Sequence, residues 1–170
     1  MIVLSLGSNM PSKLGNRFDN LEIAISFLES CQIPILKKSS FYETPAYPNK
    51  NDPKFINMIV LIKTDLPPID LMSVLIYIEE KLGRKRNVKN EPRSCDIDII
   101  DYNGQILDLN YKNIDFVIPH KKIEFRNFVL YPLREILPDW KHPKTKQNVS
   151  TLIKKLPEDD RKSILKIKKN

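Results

Sequence analysis

The chain has 170 residues, 41% of them hydrophobic and 29% charged, which is enough for one domain with a substantial core and excludes a disordered or collagen-like chain. No apolar stretch approaches the roughly 20 residues of a membrane-spanning helix. The net charge of +7 fits a polyanionic ligand, either nucleic acid or a polyphosphate, and does not separate the two.

Ile2–Leu6 is short and apolar and runs into Gly7-Ser8-Asn9, which predicts a buried strand leaving into a turn. No basic leader precedes it, and Cys31 and Cys95 form no zinc-like cluster, so a reduced, cytoplasmic protein is the expectation. From about Gly15 to Ser30, Phe18, Leu21, Ile25 and Leu28 form one helical stripe. Pro34 to Thr44 and Phe55 to Thr64 are rich in strand formers. The segment between them, about 45–54, holds three prolines, Pro45, Pro48 and Pro53, and is expected to be a mobile loop. Ile69 to Leu82 has helical spacing with Gly83 as its stop, and the basic stretch 84–94 reads as a second mobile loop. Cys95 to Tyr102 alternates as a strand does. Residues 104–118 read as a turn and a short strand, 120–127 as irregular, Phe128 to Leu137 as a strand end entering a short helix, and Val149–Leu156 as a last helix. The lysines Lys166, Lys168 and Lys169 read as a solvated tail. The order predicts a single α+β domain over residues 1–170. Its core is ferredoxin-like, βαββαβ, with helices on one face of an antiparallel sheet and a C-terminal extension.

Asp96 and Asp98 lie two apart on a predicted strand, so both carboxylates project from one face with Cα atoms about 6.6 Å apart. Such a pair holds one Mg²⁺ jointly or bridges two ions about 3.5–4 Å apart. Taken alone, an Asp-Ile-Asp is more often only the polar half of an alternating strand. The flank changes the weighing, because Arg84, Lys85, Arg86, Lys89 and Arg93 lead directly into it. Phosphoryl transfer requires both signs together, carboxylates for metal and guanidinium or ammonium groups for phosphate oxygens. With only four glycines and no Walker-type loop, side chains and metal would have to hold any nucleotide. His120, with Lys121, Lys122 and Arg126 nearby, reads equally as a phosphate grip or as surface decoration. Asn57 interrupts an apolar strand and needs a partner if buried.

Several motifs in one order resemble the hydroxymethyldihydropterin pyrophosphokinases of folate biosynthesis. They are Leu6-Gly7-Ser8-Asn9, Ser39 to Pro45, Phe55-Ile56-Asn57, Glu79, Gly83-Arg84, Pro92 to Ile99, and Pro119-His120 through Arg126, Phe128, Leu130 and Pro132-Leu133. The resemblance implies transfer of diphosphate from ATP to the hydroxymethyl group of 6-hydroxymethyl-7,8-dihydropterin, with AMP leaving. It implies that Asp96 and Asp98 ligate two Mg²⁺ ions. Arg84, Arg93, Asp96 and Asp98 become the catalytic set, and Glu79, Arg84, Ile99, His120 and Arg126 the ATP contacts. Thr44, Pro45, Tyr47, Phe55, Asn57 and Phe128 become the pterin contacts, and Asp98 a candidate proton acceptor. ATP and the pterin are the expected ligands of a monomer with no nucleic-acid or membrane partner.

This sequence departs from the family pattern twice. Where many members carry a Trp-Gly pair, it reads Lys89-Asn90-Glu91-Pro92 in a loop one residue shorter, and Phe55 stands where Tyr is frequent. Two alternatives stay open on sequence alone. One is a relative that binds pterin or ATP without turnover, and the other is a basic ferredoxin-like module that binds RNA, although no aromatic signature strand of such modules is present.

Overall fold

The structure is a computed structural model and describes residues 1–47, 49–84, 91–112 and 114–169. Lys85, Arg86 and Lys89 of the basic loop, and the Lys89-Asn90 departure, lie outside the described residues.

The first strand, β1 (Ile2–Ser8), is buried along its whole length, as a central strand covered on both faces must be. It leads to α1 (Arg17–Ser30), whose start is fixed by a capping box. The Asn16 side chain accepts from the backbone of Phe18 and Asp19 while Asp19 accepts from the Asn16 N–H, satisfying donors that a helix N-terminus leaves open. The predicted strand over 34–44 breaks into β2 (Ile35–Lys38) and β3 (Phe41–Thr44), both pairing with β4 (Phe55–Ile62). Next come α2 (Pro68–Lys81), with proline at its first turn, and β5 (Asp96–Tyr102). Gly83, at φ +86°, ends α2 in the left-handed conformation that glycine adopts without strain.

The sheet is antiparallel in the order β5-β1-β4-β3, with β2 also on β4, the arrangement expected of a ferredoxin-like core. Where one short strand was expected there are two, β6 (Leu107–Tyr111) paired antiparallel with β7 (Ile114–Ile118). A cis peptide bond joins Ile118 to Pro119, and a 3-10 turn, Ile123–Phe125, leads into α3 (Asn127–Ile136). That segment is helical from its start, where a strand end was expected. The chain closes with α4 (Val149–Lys155), α5 (Glu158–Lys162) and β8 (Leu165–Ile167).

Helices cover both faces of the sheet rather than one. Leu4, Leu6, Met58, Val60, Ile97 and Ile99 meet Leu21, Leu28, Leu71 and Leu75 from α1 and α2. On the opposite face Val3, Ile59 and Ile100 meet Val129, Leu130 and Leu133 of α3, Leu152 and Ile153 of α4, and Trp140. Trp140 is anchored as well as buried, since its Nε1–H donates to Asp101 at 2.7 Å. On this second face the apolar cover gives way toward the end of β1 to Ser5, Gly7, Asn57, Asp96 and Asp98, which are aligned across three strands. The predicted solvated tail is also tied down. β8 pairs with β3, Lys166 reaches Glu135 at 3.2 Å, and Lys169 reaches Asp19 and Glu22. Among the described residues, no helix is long and apolar enough to cross a membrane.

Candidate active site

The polar end of the second face is assembled by register. Gly7 pairs with Asp96 on one side and Asn57 on the other, and Asn57 pairs in turn with Tyr42 of β3. One row therefore runs from the paired carboxylates to the candidate pterin residues. Glycine at the centre keeps the floor low. A Cβ there would stand 3.3 Å from Asn57 Oδ1 and 3.6 Å from Phe55 Cδ1.

Three arginines converge on the carboxylates. Arg84, just past α2, donates to both Asp96 and Glu79. Arg93 lies 2.9 Å from the other oxygen of Asp96, and Arg126 lies 3.0 Å from Asp98. Buried Glu79 also accepts from the Ile97 backbone at 2.7 Å, which ties Arg84 to β5. Burial alone would push Asp96 upward, but Arg93 and Arg84 outweigh it and hold the carboxyl below its ordinary range. For Asp98 burial and the adjacent Asp96 charge prevail over Arg126 and raise it. Burial and Arg126 hold His120 low against the pull of Asp98 and Asp96, leaving a neutral imidazole at pH 7.

Two like carboxylates crowded at one sheet end form a donor set that a divalent cation relieves. Among the described residues no group of three or more His, Cys, Asp or Glu side chains converges. The pair fits Mg²⁺, which takes one or two protein carboxylates and completes its shell with water and substrate phosphates.

The candidate pterin residues form the other half. The Asn57 amide donates to Thr44 Oγ1 at 3.0 Å and to the Tyr42 carbonyl at 3.3 Å, which gives the buried amide the partners its position requires. Phe55 and Phe128 are half-buried, and each has an arginine of the charged cluster over its ring. Arg93 lies 5.4 Å from the Phe55 centroid, and Arg126 lies 5.4 Å from that of Phe128. Pro45 follows Thr44 and is half-buried. Two of the predicted contacts stand apart. Tyr47 is 80% exposed, and the Ile99 side chain lies in the core on the other face, leaving only its backbone to meet a ligand.

One residue that sequence reasoning left without a role is Asn9. It is buried at the end of β1 and bonded both to Arg93 and to Pro53. Its partners lie far away in sequence, so only its place in the Leu6-Gly7-Ser8-Asn9 motif could have drawn notice.

Paired carboxylates ringed by guanidinium groups, two of which also lie over half-buried aromatic rings, have the chemistry that phosphoryl transfer requires. Comparison with known proteins narrows the class: the chain belongs to the 7,8-dihydro-6-hydroxymethylpterin-pyrophosphokinase (HPPK) family, whose model matches residues 3–138. It is 36% identical over 155 residues to the 2-amino-4-hydroxy-6-hydroxymethyldihydropteridine pyrophosphokinase of Synechocystis sp., covering 91% of this chain and 75% of that protein. It has the same identity over 155 residues to the folic acid synthesis protein fol1 of Schizosaccharomyces pombe, of which it spans only 20% of the length. Its fold matches the crystal structure of Plasmodium falciparum HPPK-DHPS at a TM-score of 0.70 and 18% identity, covering 89% of this chain and 43% of that one. The chain thus spans about a fifth of the longer folate-synthesis relatives and three quarters of the Synechocystis protein. Nothing in the site or the comparisons favours the RNA-binding or inactive-relative alternatives.

Proposed function

We propose that this chain transfers the β,γ-diphosphate of ATP to the hydroxymethyl oxygen of 6-hydroxymethyl-7,8-dihydropterin, releasing AMP, in folate biosynthesis. The observation that carries this is the meeting of Arg84, Arg93 and Arg126 on Asp96 and Asp98, across β1 from Asn57. Membership of the pyrophosphokinase family supports it.

In this reading Asp96 and Asp98 hold two Mg²⁺ ions, which when bound neutralise and orient the triphosphate. Arg84 and Arg93 leave their carboxylate partners for phosphate oxygens and stabilise charge on the transferring group. Arg126 at the start of α3 and neutral His120, which follows Pro119 ahead of the 3-10 turn, face the nucleotide. Phe55 and Phe128 sandwich the flat heterocycle, while Asn57 and the backbone around Thr44 and Pro45 read its donors and acceptors. The hydroxymethyl oxygen is thereby brought in line with the β-phosphorus. Asp98 is the candidate proton acceptor in this scheme. The loops at about 45–54 and 84–94 exclude water that would intercept the diphosphate. The same reading takes residues 1–170 as one pyrophosphokinase domain, monomeric and cytosolic.

The test is to mix the purified protein with ATP, Mg²⁺ and the pterin and to separate the nucleotides. AMP that disappears when pterin or metal is omitted is the expected result, and AMP absent from the complete mixture overturns the reading. Asp96→Ala and Asp98→Ala are each expected to abolish AMP formation while keeping a wild-type far-ultraviolet circular dichroism spectrum. Near-normal turnover in either variant would sink the metal assignment.

A further inference from the structure

We infer that the chain after α3 is a working part of the site, and that Asn127 and Thr145 are positioning residues through which it holds the segment carrying Arg126 and Phe128. The inference rests on the reaction proposed above, in which Arg126 faces the nucleotide and Phe128 the pterin.

The segment from Ile123 to Phe128 has little to fix it from within. A 3-10 turn of three residues runs into α3, and no side chain caps either element, so the open donors of the helix start gain no local support. Asn127 lies between the two site residues and is only 9% exposed. Its Nδ2 donates to the Asp160 carbonyl at 2.6 Å and to the Ser163 hydroxyl at 3.1 Å. Ser163 donates from its hydroxyl to the same carbonyl at 3.0 Å, and from its N–H to the Asp159 carbonyl at 2.9 Å. The start of α3 is therefore gripped by the end of α5, 33 and 36 residues further along the chain.

A second part of the same extension holds the 3-10 turn. The Thr145 hydroxyl donates to Glu124 Oε1 at 3.0 Å, and Glu124 stands two residues before Arg126. The turn that presents Thr145 is built around buried His142. Its Nδ1 accepts from the N–H groups of Lys144 and Thr145 at 3.2 Å, and its carbonyl accepts from the Lys146 N–H at 2.8 Å. The His142 ring packs edge-on against Trp140, which roots the turn in the core of the second face. The Arg126 carbonyl accepts from Val129 and Leu130, so its backbone moves with the first turn of α3. A shift at Asn127 would carry with it both the guanidinium at Asp98 and the Phe128 ring beneath that guanidinium. Residues 139–170 lie beyond the family match, so membership of the family does not by itself imply this support.

The measurement is the affinity of the whole chain in Mg²⁺ for 6-hydroxymethyl-7,8-dihydropterin, by fluorescence, and for α,β-methylene-ATP, by calorimetry, neither of which needs turnover. Asn127→Ala is expected to weaken both by about five- to tenfold, the scale of one lost hydrogen bond of a buried group. Thr145→Val alters an exposed residue, whose replacement does not threaten the fold, and should weaken both by about two- to threefold. Thr145→Ser, which keeps the hydroxyl, should bind both as wild type does. In an Arg126→Ala background, Asn127→Ala should change nucleotide affinity by less than about twofold, because effects that act through one residue do not add. Trp140→Phe weakens the same cover without removing a bond to the segment, and should leave both affinities within about twofold. Wild-type affinities in Asn127→Ala or Thr145→Val would overturn the inference. So would an undiminished nucleotide effect in the Arg126→Ala background, or an equal loss in Thr145→Ser or Trp140→Phe. Failure of the wild type to bind either ligand would instead count against the proposed reaction.

Discussion

At residue scale, the legible part of the site follows from strand parity. Asp96 and Asp98 are two apart, so a period of two places them on one face whatever else the chain does. The same parity sends Ile99 into the opposite core. Asn9 was not legible, because its role depends on bonds to residues 44 and 84 positions away that no local pattern announces. Gly7 is a comparable case, its importance lying in a neighbouring strand. Gly7→Ala would bring a methyl group 3.3 Å from Asn57 Oδ1, and displacing that amide should weaken pterin binding by about 1 kcal/mol or more, read by isothermal titration. Trp140→Phe removes the donor to buried Asp101. It should cost about 1–3 kcal/mol of stability, measured as a lower urea midpoint with pterin affinity unchanged.

At the scale of elements, sequence pattern located α1, α2, β4 and β5 closely, because each has a periodic apolar set and a distinct stop such as Gly83 at φ +86°. It missed the break between β2 and β3. There the Ser39 hydroxyl accepts from the Ile59 N–H at 3.0 Å while the next residue turns toward α3. It also took the start of α3 for strand, since Phe128 to Leu130 is apolar enough for either state. The contact between these elements is polar and pH-dependent. Glu135 of α3 accepts from the Tyr42 hydroxyl at 2.7 Å and the Ser40 hydroxyl at 2.8 Å, with Lys166 at 3.2 Å. Burial pushes Glu135 upward, but the hydrogen bonds from Tyr42, Ser40 and Lys166 outweigh it and hold the carboxyl below the ordinary range. A depressed folded-state pKa means stability that is present above the unfolded value, about 4.3, and lost as pH falls through the folded value. Glu135→Gln should therefore lower Tm at pH 7 and lose that penalty as the pH drops below about 4. An equal penalty at pH 7 and pH 3 would refute the assignment.

For the whole molecule, the order βαββαβ was enough to predict the core topology. What it did not convey is that residues 127–167 return to cover the second face and then add β8 to the sheet. That cover is made of short elements joined by irregular chain, and it packs against Val3, Ile59 and Ile100. β8 braces β3, the strand that ends in Thr44. Removing residues 164–170 deletes this pairing, the buried Ile164 and the ion pairs of Lys166 and Lys169. A fall in Tm of about 5 °C is expected for a loss near 2 kcal/mol in a chain of this size, together with weaker pterin binding. Unchanged calorimetry in the truncated protein would show that the strand carries no such load.

The arginine cluster has one more consequence. In the ligand-free state the guanidinium groups of Arg84, Arg93 and Arg126 face the carboxylates of Glu79, Asp96 and Asp98, so the pocket supplies its own counter-ions. In the proposed reaction, metal–nucleotide entry would be an exchange of partners, cation for cation at the aspartates and phosphate for carboxylate at the arginines. Added salt loosens the internal pairs as well as the external ones. The affinity for ATP should consequently depend on ionic strength far less than an overall charge of +7 would lead one to expect.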